Sequence, residues 1–421
     1  MEALFLILFL STQISDETAQ KTLTRINDPI IIKGGQLTAL LGVTIPSIRI
    51  IAEHNGTLIP VPYQIDEKTR KGEYLFEMVK EGDTWVHGKR DKTRGLLTPQ
   101  DEVVLLTEDL GAQVPRERWP SQKGMEIEVT DPSNGGKGYA YALSFTAPPG
   151  PSPKRYVNFD PDENVIVTEY FAMGFRDPAR PGRMNYFAIG NALKGTEPPA
   201  NIMSAFRMTL HVRLLFGKVN VTRDESQVSS ELTAYTNGVV RVLRKIAYSV
   251  TIVGKIPSPK LSRVTVTYRH GSEYDNILRI PFKPAILITG ADLLISFDFT
   301  PVIRGSFLSL QGHEAPFVFD GSLQGGEFGF PAWAFLTGAY GGFLIRLNFD
   351  DRLFANVKKT LYIRQEPDGS GEIGWRVGGL EKLKRGRYPF NFRFYGVPDY
   401  SQGDEKKLLD IEDQPLRVTV R

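Results

Sequence analysis

The chain has 421 residues, 41% of them hydrophobic, no Cys, and a formal net charge of +3 from 51 Lys and Arg against 48 Asp and Glu. Length and apolar content support a large folded core and exclude wholesale disorder. Without Cys there are no disulfides, cysteine nucleophiles, iron–sulfur clusters, Cys-ligated zinc or covalent c-type haem on this chain, and near-balanced charge argues against nucleic acid as a partner.

The first informative segment is Ala3–Leu10, ALFLILFL, followed by polar STQISDETAQ. The run is far shorter than the roughly 20 residues of a membrane-spanning helix. It matches the apolar region of a secretory signal peptide, so residues 1–20 are expected to be one, although no Lys or Arg precedes the run and no A-x-A site follows it. The alternative is a buried N-terminal strand. No later segment has 18 uncharged apolar residues, so the mature chain is expected to carry no membrane span and to be secreted, periplasmic or on the cell surface. An exported chain without Cys then draws its stability from a large core.

Residues 21–147 are expected to form a small N-terminal β domain. Its most distinctive stretch is Leu58–Glu67, LIPVPYQIDE, followed by Leu97–Gly111, LTPQDEVVLLTEDLG. If these segments are neighbours, Asp66, Glu67, Asp101 and Glu102 converge beside Gln64. Such carboxylates suit Ca²⁺ or acid/base chemistry on a sugar. The competing reading is that Asp66 and Asp101 cap turns through backbone N–H groups. Thr98-Pro99 followed by Gln100-Asp101-Glu102 also has the form of a short helix start. Asp91–Glu102 spans twelve residues from Asp to Glu, but Gly95 stands at position five and Lys89, Arg90, Lys92 and Arg94 repel a cation, so it reads as a surface loop. Gly135-Gly136-Lys137-Gly138 lacks a phosphate-loop frame and reads as a hairpin turn.

Four Pro in the seven residues Ala147–Pro153 exclude helix and central strand, so 148–155 is expected to be a linker to a larger domain, 156–421. Asp160, Asp162 and Asn164 have D-x-D-x-N spacing, which makes them calcium candidates, with an Asx turn as the alternative. No other metal or cofactor is expected. The five His are widely spaced, which removes HExxH and every local His-pair metal motif. Asp177–Gly182 reads as a long loop.

Beyond it the dominant period is two. Met208, Leu210, Val212 and Leu214 alternate with Thr209, His211 and Arg213, and Val264, Val266 and Tyr268 alternate with Arg263, Thr265 and Thr267. Phe343–Phe349, Phe390–Phe394 and Leu416–Val420 repeat the pattern. One apolar and one polar face is the signature of antiparallel sheets. Asn237-Gly238, Asp320-Gly321 and Asp368-Gly369 are hairpin-turn dipeptides. Helical periodicity is nearly absent, with Asp350–Lys359 the second short candidate. The fold class is therefore all-β: a small N-terminal β domain followed by a large antiparallel β-sandwich, with very little helix. Two loop features suit ligand binding: His313 beside Glu314, and the Gly-interleaved aromatics that include Trp333 and Tyr340, whose rings can stack on sugar faces. Core packing is the alternative for the aromatics, and a solvated loop for His313.

The PxPYQIDE and DEVV stretches resemble a group of secreted, β-rich prokaryotic proteins of uncharacterised function. Gly138–Leu143, Tyr156–Asp160 and Asn237–Arg244 look like the same group. A related pattern occurs in domains attached to polysaccharide-degrading proteins, and the group is also associated with multihaem cytochromes of exported electron-transfer systems. Neither association assigns a reaction; the leading expectation is an exported, non-catalytic protein that binds an envelope or extracellular protein or polysaccharide, as an accessory to an exported electron-transfer system. The alternative is a carbohydrate-active or carbohydrate-binding protein using the N-terminal carboxylates; if it is an enzyme, it resembles a polysaccharide lyase or glycoside hydrolase.

Overall fold

The computed structural model describes residues 19–421 apart from 89–93, 122, 195–199, 215–218, 224–227, 254–255, 258–260, 281–287, 322–325, 351–354 and 356. The apolar run 3–10 lies outside the described residues.

Alternating apolar residues build two large antiparallel sheets that face each other. The six-stranded sheet runs Val219–Arg223, Met203–Leu214, Ile288–Phe299, Gly371–Gly378, Lys358–Gln365 and Gly326–Phe328. The twelve-stranded sheet runs from Phe317–Val318 and Phe307–Leu310 through Trp333–Gly338, Gly341–Phe349, Gly386–Val397, Gly271–Ile280, Leu261–Tyr268, Arg241–Val253 and Val228–Asn237 to Met78–Glu81 and Thr84–His87. Its twelfth strand, Ile256–Pro257, pairs beside Arg241–Val253.

Inner faces interdigitate through aromatic rings. Phe297 meets Trp375 on its own sheet and Phe343 on the other, both at 6.3 Å between ring centres. Phe390, Phe392 and Phe394 are buried as their period of two requires. A four-stranded meander, Val157–Asp160, Val165–Thr168, Phe171–Gly174 and Tyr186–Ile189, closes the same core, with Phe187 4.7 Å from Phe343. The molecule is an all-β sandwich.

The N-terminal part forms a five-stranded sheet and a three-stranded sheet. The first orders Thr57–Pro60, Ile48–His54, Lys137–Ser144, Gly124–Thr130 and Arg417–Val420; the second orders Pro29–Lys33, Glu102–Leu106 and Gln64–Asp66. Strand pairing therefore crosses the Pro-rich segment in both directions. Val418 pairs with Val129 in the N-terminal sheet, and Val79 pairs with Ala234 in the large sheet. Residues 148–155 form neither strand nor helix, yet Arg155 Nη1 donates to the carbonyl of Gly238 at 2.9 Å.

One expected short helix is corrected, and the other falls half outside the described residues. Residues 98–101 are a turn and Glu102 opens a strand, because Asp101 takes the N–H of Thr98 at 2.7 Å and folds the segment back on itself. At the other site, Lys358–Gln365 is a strand, while 351–354 and 356 lie outside the described residues. The one α-helix among the described residues is Asp404–Asp413, which the sequence reading did not foresee. Its Leu408 packs on Phe335, Leu344 and Tyr395, so it covers the outer face of the large sheet.

Candidate functional site

The N-terminal carboxylates do converge, but on an internal cation. Asp66 and Glu102 stand directly opposite each other on adjacent antiparallel strands. Like charges in that position repel. Arg241 of the large sheet enters between them, 1% exposed, and its Nη2 lies 2.7 Å from a carboxylate oxygen of each. Its Nη1 also donates to the Tyr268 hydroxyl at 3.0 Å. Lys68 Nζ pairs with Glu102, and the Tyr74 hydroxyl donates to it at 2.9 Å. Burial pushes the Glu102 carboxyl up, but Lys68 and Arg241 outweigh it and hold it below the usual carboxylate range.

Gln64 completes this joint. Its Nε2 donates to Asp66 at 2.6 Å, and its Oε1 accepts from the N–H groups of Val240 and Arg241. That approach needs Gly238: a Cβ there would lie 1.8 Å from Gln64 Oε1. Asp101, 1% exposed, accepts from the backbone N–H groups of Lys68 and Thr98, both at 2.7 Å, which is the turn-capping role. Glu67 accepts from the N–H of Gly95 and sits 3.7 Å from Arg94 Nε. These groups carry structure, each carboxylate being engaged by an internal donor.

The remaining sequence candidates disperse. Asp160 accepts from the N–H groups of Asp162 and Glu163, an Asx turn, while Asn164 Oδ1 turns inward to Arg244 at 2.7 Å. Among the described residues, no group of three or more His, Asp and Glu could hold a metal. His313 is exposed, with its ring 5.7 Å from that of Phe317. Trp333 packs against the helix, and Tyr340 donates to Ser306 Oγ at 3.1 Å.

A cleft of about 530 Å³ opens instead on the outer face of the large sheet. Its floor is Glu273, Asn391 and Arg393; its walls are the strand Pro29–Lys33 and the end of the helix with Glu412. Arg393 Nη1 donates to Glu412 at 2.9 Å, and its Nη2 is 3.8 Å from Glu273. Both Glu412 oxygens are engaged, Oε1 by the Tyr395 hydroxyl at 2.8 Å and Oε2 by Asn348 Nδ2 at 2.9 Å. Glu273 is different. Its side chain keeps 28% of its surface exposed at the cleft, with the long Arg393 contact as its ion pair. Burial raises its carboxyl above the ordinary range despite the attraction of Arg393. The two glutamates raise Arg393 in turn, overcoming its own burial.

The sequence reading missed all four residues. Glu273, Asn391 and Arg393 alternate with Tyr274, Phe392 and Phe394, so they read as the wet face of a strand. The helix and the strand Pro29–Lys33 packed across that face turn it into a cleft.

No protein-family model matches the chain, and no curated protein matches it in sequence. Among solved structures, the chain is similar to an alpha-mannosidase from Enterococcus faecalis V583, with a TM-score of 0.46 and 10% identity over 96% of this chain and 45% of that one. It is similar to a protein in the glycosyl hydrolase family 38 from Enterococcus faecalis, with a TM-score of 0.47 and 9% identity over 96% of this chain and 46% of that one. A third similarity is to 4-alpha-glucanotransferase from Thermococcus litoralis, at a TM-score of 0.31 and 10% identity over 58% and 40% of the two chains. The chain spans less than half the length of each of these three. No helix among the described residues is long and apolar enough to cross a membrane.

Proposed function

We propose that the chain is an exported binding protein whose ligand is a neutral, hydroxyl-rich molecule, a carbohydrate, held in the cleft over Glu273, Asn391 and Arg393. The observation that carries this reading is Glu273, a deep carboxyl with unspent acceptor capacity facing an open cleft. Acceptors (Glu273, Asp28) and donors (Arg393, Asn391) line one volume of a size typical of ligand sites. Neighbouring sugar hydroxyls both donate and accept, so they match such a lining. Ile31, 41% exposed, and Pro415 offer apolar surface to the C–H face of a ring.

Binding rather than turnover is favoured by Glu412. Glycoside hydrolysis uses two available carboxyl groups, and both oxygens of this one are already hydrogen-bonded to Tyr395 and Asn348. Export is supported by the apolar run at 3–10.

The test is a glycan array probed with the full chain, followed by titration calorimetry of the retained glycans. Glu273→Gln, which keeps the shape and loses the charge, should weaken binding by roughly tenfold or more, as expected for a hydrogen bond to a charged group. Retention of no glycan above the blank would sink the carbohydrate reading.

A further inference from the structure

A second cleft, of about 350 Å³, lies at the other end of the same helix. One wall is Thr24–Asp28; the other is Val397–Asp399 with Asp404, Lys407 and Leu408. The first cleft is bounded by residues 28–31 and by residues 411–418. Both clefts thus lie between the same two stretches of chain, 24–31 and 397–418, and Asp28 lines both. Arg25 bridges the stretches between them. Its Nη1 donates to the carbonyl of Gln414 at 2.7 Å, its Nη2 to that of Asp410 at 2.9 Å, and it pairs with Asp28. This is a cation on the carbonyl end of a helix, where the helix dipole favours it.

The two compartments differ in chemistry. The first has the half-buried charged floor described above. The second presents flat apolar surface: the Tyr170 ring, Pro398 and Ile26, which is 48% exposed. Tyr170 is fixed from behind, its hydroxyl donating to Asn27 at 3.2 Å and its ring carrying the Arg269 guanidinium at 5.2 Å. A polar hydrogen-bonding compartment and, across the Arg25 bridge, an aromatic one suit a chain of sugar rings, one read by its hydroxyls and the next by its C–H face.

We infer that the two clefts are consecutive subsites of one trough, and that its ligand is a linear oligosaccharide lying along the helix with rings in both compartments. This rests on the carbohydrate reading above and adds the ligand's length and direction.

The experiment titrates the full chain with xylo-, manno-, cello- and malto-oligosaccharides of one to six units. For the series that binds, affinity should rise on the order of tenfold between one unit and four, a gain equivalent to one added ring contact. Tyr170→Ala should abolish that rise while leaving the affinity for the single unit unchanged. Ile26→Ala, at a half-exposed position where folding is not at risk, should reduce the rise in the same sense. Affinity that is independent of length, or Tyr170→Ala weakening one unit and four units equally, would overturn the trough while the single-cleft reading stands. If no member of any series binds, both fall.

Discussion

Replacing Arg241 with Met tests whether the Asp66–Glu102 cluster is a structural joint. The substitution keeps most of the side-chain volume and removes the guanidinium that lies 2.7 Å from both carboxylates. Asp66 would retain Gln64 Nε2 as its donor but lose its cation at a site where its side chain is 3% exposed. Glu102 would keep Lys68 and Tyr74. The repulsion of two carboxylates placed opposite each other would be offset only by Lys68 on the Glu102 side. Breaking a buried pair from one side costs about 3–5 kcal/mol, because the remaining charge is stranded in a medium of low dielectric. That loss should appear as a lower urea midpoint followed by tryptophan fluorescence. The triple variant Arg241→Met, Asp66→Asn, Glu102→Gln removes the guanidinium and both carboxylates together, leaving Lys68 as the one remaining charge, and should recover most of it, since replacing a buried ion cluster is often near neutral. A single variant that loses less than about 1 kcal/mol, or a triple variant no better than the single, would refute the reasoning.

Three further outcomes follow from the geometry. Burial raises the Asp109 carboxyl to about 6, against the favourable hydrogen bond from the Tyr156 hydroxyl at 2.7 Å, and its Oδ2 is buried with no hydrogen-bond partner. The folded state therefore holds this proton more tightly than the unfolded chain, so stability present below the ordinary Asp value of 3.8 is lost as pH rises to about 6. Asp109→Asn should flatten that segment of the stability-versus-pH curve and add roughly 1–3 kcal/mol at pH 7, measured by denaturant titration at several pH values; a variant less stable at pH 7 would contradict it. Gly238→Ala places a methyl group on Gln64 and should cost about 1–3 kcal/mol by forcing that amide aside, read as a shift in thermal midpoint. For Glu273, glycan affinity should rise as pH increases through its raised pKa, because the ionised carboxyl accepts more hydroxyl hydrogen bonds, and Glu273→Gln should remove the dependence.

Much of the fold was written locally. Period-two alternation at Phe390–Phe394 and Val264–Tyr268 specifies a strand with one buried face wherever that strand sits. Gly135 and Gly369 have positive φ at the turns their sequences announce. The helix Asp404–Asp413 carried a weaker signal: Leu408 and Ile411 three residues apart, behind Asp404 and Glu405 in its first turn. Convergence of Gln64, Asp66, Asp101 and Glu102 could also be anticipated, since two strands close in sequence tend to pair.

What the sequence could not convey is what stands opposite those carboxylates. Arg241 is about 140 residues from Glu102 along the chain, and only the docking of the N-terminal sheet on the large sheet brings them together. That docking turns an apparent acid cluster into a neutralised, buried joint. The same physics works in reverse at Glu273. Its strand pattern describes a solvated polar face, and the sequence of the strand is unchanged by whether water or a helix lies above it. The strand Pro29–Lys33 and the end of the helix at Ile411 and Glu412 wall that face into a cleft, and burial raises the carboxyl. Composition and periodicity determined that this chain is a Cys-free β protein with a large core; tertiary structure decided which of its charges are internal mortar and which line an open cleft, because the free energy of a charge depends on everything packed around it, not on its neighbours in sequence.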